Sequence, residues 1–363
     1  MCGSHDNTIL LKNQMFKLFK SVIFSLNMSF LSEIPDVHFN RPLFCGVLAN
    51  TMLSTVPGVS GAGPSPDKTL LTPILDAELI SHGIITSSPV KPNTPTGCPT
   101  PATITRAMMS LLEMRPLFVN AGLRHRPTVP CLDMNGEAGG DPRTGDAVPD
   151  AAILFQNGEE TGKFLSGLCD LLVIGESVPG GTTTALCVLL ALGYQAQVSS
   201  SFVDNPVSLK EAIAREAVSR IRNDKISDPL DVIRYTGDPM MPVVAGIAKT
   251  FTGELFLAGG TQMLAVAAVM RGLGISLPSV VTTKYVGDDS SANVQGLALQ
   301  IGAKIYFVDP GFGDLGHRGL ARYCIGEVKE GMGAGGAMLL AHLCGHSPEK
   351  IRNAILSTVN GYA

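Results

Sequence analysis

A short apolar segment that runs into a glycine-rich turn constrains the fold more than any other feature of the sequence. Residues 171–174 (LLVI) lead into Gly175-Glu176-Ser177-Val178-Pro179-Gly180-Gly181-Thr182-Thr183, and an apolar run follows at residues 185–192. Such a segment predicts a strand buried on both faces, and the run after it predicts a helix. The turn, with Glu176 in it, would then present free backbone N–H groups at a helix N-terminus, where phosphate and other anions bind.

The amino-acid sequence of this turn excludes the more familiar phosphate-binding loops. No Lys follows Gly180 and Gly181, so the turn is not a nucleoside-triphosphate loop, and its glycine spacing is not that of the dinucleotide fingerprint. No Ser stands between two glycines, as it does in a hydrolase nucleophile elbow. A strand-to-helix turn also needs glycine and a capping hydroxyl for structural reasons alone. The phosphate site and the purely structural turn are therefore both open interpretations of the motif.

Apolar segments alternate with helical patterns along most of the chain. The predicted strands are residues 43–49, 117–120, 171–174, 255–257, 279–282 and 304–308, and the predicted helices are residues 73–81, 103–113, 151–166, 183–192, 208–221, 262–271 and 292–301. This alternation predicts an α/β fold, a three-layer Rossmann-like parallel sheet covered by helices on both faces. Ligands of such sheets bind beyond the carboxyl ends of the strands. Glycine-rich turns follow three of the predicted strands, which favours a site at that edge.

The end of the chain predicts helices that are added to this core. Residues 333–343 have an apolar helical pattern with Gly345 as the C-cap, and Ser347-Pro348 opens another helix. We expect these helices and N-terminal material to form a small helical lobe from the chain termini. The predicted division is an N-terminal extension (residues 1–36), a Rossmann-like core (residues 37–324) and a C-terminal helical segment (residues 325–363).

Residues 15–30 are cationic and apolar enough to imitate a signal peptide. No small-residue cleavage site follows them, and the run is too short for a membrane span. We expect the true start of translation to be Met28, so that residues 1–27 are a mis-assigned beginning or partly disordered. A peripheral helix is the alternative.

Composition and charge exclude several classes of protein. The formal net charge is -4 and Lys and Arg are not clustered, so the sequence has no electrostatic footprint for nucleic acid. Hydrophobic residues make up 45% and charged residues 16%, which is typical of a compact enzyme. The eight cysteines are widely separated and form no C-x-x-C pair, as expected of free thiols in a reducing cytosol. We expect a cytoplasmic protein that binds neither nucleic acid, nor a membrane, nor a metal.

Outside the turn, three titratable residues stand in a suggestive context. Glu330 precedes Gly331 and Gly333, whose lack of side chains would let a substrate approach; a surface Glu at a helix start is the plainer interpretation. His317 comes after the last predicted strand and would face either the same rim or solvent. Lys210 lies on a predicted helix and would either reach a phosphate or be solvated.

Taken together, these motifs resemble the nicotinate-nucleotide:dimethylbenzimidazole phosphoribosyltransferase family, and most closely its archaeal and cyanobacterial branch, over about residues 43–337. The family's Glu-Gly-Thr-Gly-Ala, whose Glu is the catalytic base, is similar to Glu330-Gly331-Met332-Gly333-Ala334, with Met in place of Thr. The family's loop glutamate and Gly-Asn-Thr-Thr are similar to Glu176 and Gly180-Gly181-Thr182-Thr183, with Gly181 in place of the amide residue.

Weaker similarities extend the match. The family's Asp-Pro-Leu and Gly-Gly are similar to Asp228-Pro229-Leu230 and Gly237-Asp238, and its Asp-Gly-Phe loop more loosely resembles Gly259-Gly260-Thr261. Lys210 looks like the family's active-site lysine by its distance before Asp228, and His317 resembles a Gly-His pair after the last strand. The N-terminal half, which supplies the family's aromatic-base pocket, matches poorly.

The resemblance implies a reaction and a role for each residue. The substrates would be nicotinate mononucleotide and an aromatic base of benzimidazole or purine type, and the product an α-ribazole-phosphate-like nucleotide for the lower ligand of cobamides. Glu330 would be the general base, Gly180 to Thr183 with Lys210 would bind the phosphate, and Glu176 would orient ribose hydroxyls or the lysine. The other implied substrate contacts are Gly237, Gly259, Gly260, His317, Gly331 and Gly333. The resemblance implies no metal or other cofactor, and it implies a homodimer.

Two alternatives stay open. The changes at Gly181 and Met332 suggest a non-catalytic, nucleotide-binding or regulatory relative that keeps the fold and the phosphate loop. A different phosphosugar enzyme is the third hypothesis, in which the match at Glu330 would be a coincidence.

Overall fold

A sheet of seven strands forms the centre of the molecule. The computed structural model describes residues 30–63 and 65–362. The strands are β1 (Pro42–Ala49), β2 (Leu117–Gly122), β3 (Leu132–Asp133), β4 (Leu171–Ser177), β5 (Glu254–Ala258), β6 (Ser279–Thr283) and β7 (Ile305–Val308). They lie in the order β3-β2-β1-β4-β5-β6-β7, and every neighbouring pair is parallel. The predicted α/β class with a Rossmann-like parallel sheet is confirmed.

Helices cover both faces of this sheet. They are α1 (Pro66–Thr69), α2 (Thr72–His82), α3 (Pro101–Leu111), α4 (Ala151–Leu168), α5 (Gly181–Ala191), α6 (Val207–Asp224), α7 (Pro229–Thr236), α8 (Met240–Thr250), α9 (Thr261–Gly272), α10 (Lys284–Gly287), α11 (Val294–Ile301), α12 (Ala334–Leu343) and α13 (Pro348–Asn360). Helices α4–α9 and α11 share one apolar core with the sheet, and we call this side the α5 face. Helices α2, α3, α12 and α13 share the other core, on what we call the α12 face.

Strand β4 shows how the two cores are separated. Leu172 and Ile174 belong to the core of the α5 face, whereas Leu171 and Val173 belong to that of the α12 face. Successive side chains of a strand point to opposite faces of its sheet, so a strand covered on both sides must be apolar at every position. This explains why the sequence reads as a continuous apolar run instead of an alternating one.

Strand β4 is also longer than the sequence predicts, and this corrects the placement of Glu176. The strand continues to Ser177 because it pairs in parallel with β1 as far as Val47↔Glu176 and Leu48↔Ser177. Glu176 therefore lies on the strand and not in the turn that follows it. Its backbone is fixed by the sheet, which gives its carboxyl group a defined direction.

Helix boundaries follow local capping chemistry where the sequence supplies it. The Asp228 carboxylate accepts the N–H groups of Leu230 and Asp231 at 2.9 and 3.1 Å, and the Ser347 hydroxyl accepts the Lys350 N–H at 3.2 Å. The predicted helix start at Ser347 is confirmed. Helix α8 was not predicted, because almost every side chain in its first eight positions is buried and no polar stripe marks it as a helix.

Helix α12 lies directly on the sheet. Gly335 and Gly336 leave no room for a β-carbon against Thr282 of β6 and Ala258 of β5, so the helix packs its backbone close to the strands. Helix α13 packs on α3 at the outside of the same face. The division into residues 1–36, 37–324 and 325–363 stays a prediction.

The edge strand β7 pairs with the beginning of the described chain, and the middle of the sheet contains the point where a ligand crevice is expected. Leu31 forms an antiparallel bridge with Val308 of β7, whereas Met28 and most of residues 15–30 lie outside the described residues. Strand β1 is followed in space by β2 on one side and β4 on the other, so the strand order reverses between β1 and β4. In open α/β sheets, ligands bind at the carboxyl ends of the strands at such a point. Among the described helices, none has the length and apolar character needed to cross a membrane.

Candidate functional site

A cavity of about 480 Å³ opens at this reversal point. The end of β4 forms its floor, and its walls come from α2, α3, the start of α5 and the segment before α12. Its volume is in the range of pockets that bind small molecules, about 300–1,000 Å³. Three carboxyl groups face it, those of Asp76, Glu176 and Glu330.

The turn after β4 forms one side of the cavity. Gly180 has a φ of 79°, in the left-handed region that favours glycine, and its α-carbon lies so close to Ser54 that a β-carbon would be 3.1 Å from that residue. Helix α5 begins at Gly181, and the N–H groups of Gly180 and Thr182 donate to no acceptor within residues 30–63 and 65–362. Free N–H groups at the start of a helix are an anion-binding arrangement.

Lys210 reaches this turn from α6. Its side chain is buried, and its ammonium group donates to the Thr182 hydroxyl at 3.0 Å and the Ser199 carbonyl at 2.7 Å. Burial, together with the charge of Lys329, lowers the pKa of Lys210 to about 7. Near neutral pH this side chain therefore exchanges between a charged and a neutral form.

Lys329 is a second buried cation that the sequence did not single out. Its ammonium group donates to the carbonyls of Ser200 at 2.8 Å and Phe202 at 3.0 Å, and it lies 3.4 Å from the Asp289 carboxylate. The two lysines thus hold the Ser199–Phe202 segment, which lines the cavity beside the turn. In the sequence, Lys329 could have been found from its position directly before Glu330, because the backbone segment that positions Glu330 also positions Lys329.

Glu176 is held by an amide that the sequence also did not single out. The Gln262 side-chain amide of α9 donates to Glu176 Oε2 at 2.5 Å, and the Val178 N–H donates to the same oxygen at 3.2 Å. Burial and the nearby charges of Asp238 and Glu330 raise the pKa of Glu176 well above its ordinary value. The surroundings of Glu176 therefore favour its protonated form more than water would.

Gly181 makes room for this amide. A β-carbon at Gly181 would lie only 2.6 Å from the Gln262 side chain, so no other residue fits there without moving it. In the family that the sequence resembles, an amide residue stands at the position of Gly181, and in this structure a side-chain amide from α9 lies against that position. Lys210 contacts Thr182 and Ser199 rather than Glu176, so the expected orientation of the lysine by Glu176 is not what the structure shows.

Glu330 forms the opposite side of the cavity. Its carboxylate accepts N–H groups from Thr283 at 3.0 Å, Gly331 at 3.1 Å and Gly335 at 3.3 Å, at the end of β6 and the start of α12. Burial raises the pKa of Glu330 to about 7 although these N–H groups act to lower it. No Lys or Arg among the described residues forms an ion pair with it, so its proton affinity stays high.

The backbone beside Glu330 is tightly constrained. Gly333 packs on Gly175 of β4, where a β-carbon on either glycine would lie within 3 Å of the other backbone. Met332 has a φ of 47°, which is uncommon for a residue with a side chain. Its N–H donates to the Glu176 carbonyl at 2.8 Å, and its carbonyl accepts the Thr105 hydroxyl at 2.9 Å. This segment thus fixes Glu330 relative to Glu176.

Asp76 is the third carboxyl group at the cavity, and no local motif marks it in the sequence. It lies on α2, and its Oδ2 accepts the hydroxyl of Ser177, the last residue of β4, at 2.9 Å. Burial raises the pKa of Asp76 to about 7. The match to the family pattern is poor in this part of the chain, so the resemblance gave no role to this residue.

Several predicted contact residues do not line the cavity. Gly237 ends α7 and packs on Ile233, and His317 accepts the Leu320 N–H in a turn that does not line the cavity. The remaining five also lie outside the lining: Lys210, Thr183 and Gly333 are buried, Gly259 lies against Glu176, and Gly260 lies against Val286. The predicted residues that do face the cavity are Glu176, Gly180, Gly181, Thr182, Glu330 and Gly331. The described residues contain no cluster of three or more His, Cys, Asp or Glu side chains suited to a metal ion.

Comparison with known proteins identifies the family. A UPF0284 protein of Methanothermobacter thermautotrophicus is 44% identical over 331 residues, which is 88% of this chain and 92% of that protein. One of Methanosarcina acetivorans is 42% identical over 325 residues, 87% of this chain and 93% of that protein. The chain belongs to the UPF0284 family. No protein-family model matches it.

Solved structures share the fold of this UPF0284 protein. A nicotinate-nucleotide-dimethylbenzimidazole phosphoribosyltransferase from Thermus thermophilus superposes with a TM-score of 0.52 at 15% identity, covering 89% of this chain and 83% of that one. A CobT structure from the same organism gives a TM-score of 0.54 at 16% identity, covering 89% and 84%. The fold that the sequence resemblance implied is confirmed.

Proposed function

We propose that this UPF0284 protein transfers the phosphoribosyl group of nicotinate mononucleotide to a heteroaromatic base. The observation that carries the proposal is the pairing of two unlike groups at one cavity. An anion cradle with Lys210 behind it faces a carboxyl group, Glu330, whose pKa is about 7. The similarity of the fold to that of the Thermus thermophilus transferase supports the choice of substrates.

The phosphate of the nucleotide would bind at the start of α5. The N–H groups of Gly180 and Thr182 and the Thr182 hydroxyl would donate to its oxygens, and protonated Lys210 would supply positive charge. Glu176 would hydrogen-bond a ribose hydroxyl through Oε1 while Gln262 holds Oε2. These contacts fix the sugar before the reaction.

The chemistry would then need one proton acceptor. The bond between C1′ and the pyridinium nitrogen breaks, and nicotinate leaves with the bonding electrons, which neutralise its ring charge. A ring nitrogen of the incoming base attacks C1′ from the opposite side, and the base loses its other ring N–H proton to Glu330. A positioned general base contributes about 10²–10⁴-fold to such a step, and it works best when its pKa is near the working pH. Glu330 meets that condition.

The test is to incubate the purified protein with nicotinate mononucleotide and a pool of benzimidazoles and adenine. Mass spectrometry should show a base-ribose-phosphate product, and nicotinate should be released only when a base is present. Nicotinate release without a base would indicate a hydrolase and contradict the proposal. Nucleotide binding by calorimetry without turnover of any base would favour the non-catalytic relative instead, for which the strained Met332 and the changed Gly181 are the motivation.

A further inference from the structure

Apart from Glu330, the α12-face side of the cavity has an apolar stretch of wall, which we call the slot, with one carboxyl group in it. This part of the cavity is lined by Leu71, which directly precedes α2, by Leu75 of α2, and by Pro101 and Ala102 at the start of α3. Asp76 lies among them, next to Leu75 in the sequence. Flat aromatic molecules suit apolar walls of this kind, and a single polar group in such a wall fixes how the ring is oriented.

Asp76 has one oxygen engaged and one oxygen free. Oδ2 accepts the Ser177 hydroxyl at 2.9 Å, whereas Oδ1 accepts no hydrogen bond from any described residue. Asp76 is half-buried and lines the cavity, and Oδ1 is not an enclosed atom, so it is open to a hydrogen-bond donor. A hydrogen-bonding group on the molecule that fills the slot can therefore reach this oxygen.

The alternation of β4 decides which substrate that molecule is. Glu176 points to the α5 face, where Gln262 holds it, and the phosphate cradle opens on the same side. Ser177, the next residue, points to the α12 face, where it meets Asp76. Glu330, at the start of α12, lies on that face as well. Under the proposed function Glu330 takes its proton from the acceptor base, so Asp76 faces the acceptor and not the nucleotide.

We propose that Asp76 selects the acceptor by accepting a hydrogen bond from a substituent on its ring. The preferred class is then a heteroaromatic base with an exocyclic O–H or N–H group, of hydroxybenzimidazole or aminopurine type, over a benzimidazole that carries only alkyl groups. This inference rests on the proposed function. A hydrogen bond to a charged or partly charged group should favour the donor-bearing base by about tenfold to a hundredfold.

The experiment compares two acceptors of nearly equal size, 5-hydroxybenzimidazole and 5-methylbenzimidazole, by kcat/KM at saturating nicotinate mononucleotide. The wild-type chain should prefer the hydroxy base by at least about tenfold. Asp76→Leu should remove or reverse this preference while the KM of nicotinate mononucleotide stays unchanged. Asp76→Asn, which keeps the shape and one acceptor oxygen, should reduce the preference less. Asp67→Asn is the matched control, since Asp67 is exposed on α1 and does not line the cavity.

The outcomes separate this inference from the function on which it rests. Transfer to both bases at equal rates by the wild type, or an unchanged preference in Asp76→Leu, would overturn the role of Asp76 and leave the transferase standing. A rise in the KM of nicotinate mononucleotide in Asp76→Asn would assign Asp76 to the ribose and also overturn it. Transfer to neither base by the wild type would instead contradict the proposed function. If Asp76→Leu does not fold, Asp76→Asn carries the comparison alone.

Discussion

The two sides of the cavity are built in different ways. On the α5 face, consecutive residues from Val178 to Thr182 form a turn whose backbone makes the site, and Lys210 supports it from one neighbouring helix. On the α12 face, the groups that face the cavity are side chains from distant parts of the sequence, Asp76 and Glu330. A backbone cradle suits a group such as phosphate, whose shape does not vary, whereas separate side chains can be exchanged one at a time to suit a different ligand.

The two sides also differ in the kind of titratable group that they contain. Burial lowers the pKa of Lys210 and of Lys329, the cations behind the turn. Burial raises the pKa of Asp76 and Glu330, the acids on the other side. Each side therefore holds groups that change charge near neutral pH, which is common where proton transfer or charged ligands are handled. The following substitutions test whether the two sides have separate tasks.

The largest expected effect belongs to Glu330→Gln. Replacing the carboxylate with an amide of the same shape removes the proton acceptor, so kcat should fall about 10²–10⁴-fold. The KM of nicotinate mononucleotide should not change, because the phosphate binds on the other side. Steady-state kinetics with the best acceptor measures both constants. Glu349→Gln, on the exposed first turn of α13, is the control. A Glu330→Gln variant with full activity would remove Glu330 from the mechanism.

A smaller effect is expected from Gly181→Asn, which forces a side chain against Gln262. Overpacking of this kind costs about 1–3 kcal/mol of folding stability, and the displaced Gln262 amide no longer holds Glu176, so kcat/KM for nicotinate mononucleotide should fall. Gln262→Ala should also reduce kcat/KM, because Glu176 loses its amide partner. The double variant should recover most of the activity, since the space is free again and the new amide can take the place of the old one.

One further variant serves as the control for this reciprocal effect, and one result would contradict it. Gly167 is an exposed position of α4 where a β-carbon would have no atom within 4 Å, so Gly167→Asn should leave kcat/KM unchanged. Losses that simply add in the double variant would show that position 181 and Gln262 act independently. The contact with Gln262 would then not explain the glycine at position 181.

The smallest expected effect is a change in pH dependence. Glu330 must lose its proton to act, so kcat/KM should fall as the pH drops below about 7; Lys210 must keep its proton to attract phosphate, so kcat/KM should fall as the pH rises above about 7. Lys210→Arg should move only the alkaline limb upward, because a guanidinium group stays charged. Lys225→Arg, at the exposed end of the same helix, should move neither limb.

The sequence predicted the α5 side well because its information is local. A strand, two glycines and hydroxyl residues in one run predict a turn with free N–H groups, and the structure places Gly180 and Thr182 in such a turn. The apolar runs and caps predicted most of the sheet and its helices for the same reason. Helix α8 was not predicted, because a helix buried on all sides lacks the polar stripe by which an amphipathic helix is recognised in a sequence.

The α12 side was predicted only where a family motif covered it. Glu330 belongs to such a motif, but Asp76 faces the cavity because α2 packs over the end of β4, which no local pattern encodes. Gln262 and Lys329 likewise act through contacts with Glu176 and with Ser200 and Phe202, far away in the sequence. Conversely, Gly237 and His317 carry turn and capping roles that a motif match cannot distinguish from substrate contacts.

The central claim is that the nucleotide phosphate binds on the α5 side and that Glu330 acts on the acceptor. The most direct measurement is the affinity for nicotinate mononucleotide alone, by titration calorimetry, in the wild type, Lys210→Met and Glu330→Gln. We expect about a tenfold or greater loss of affinity in Lys210→Met, where the positive charge behind the turn is removed, and no change in Glu330→Gln. Equal losses in the two variants, or unchanged affinity in Lys210→Met, would contradict it.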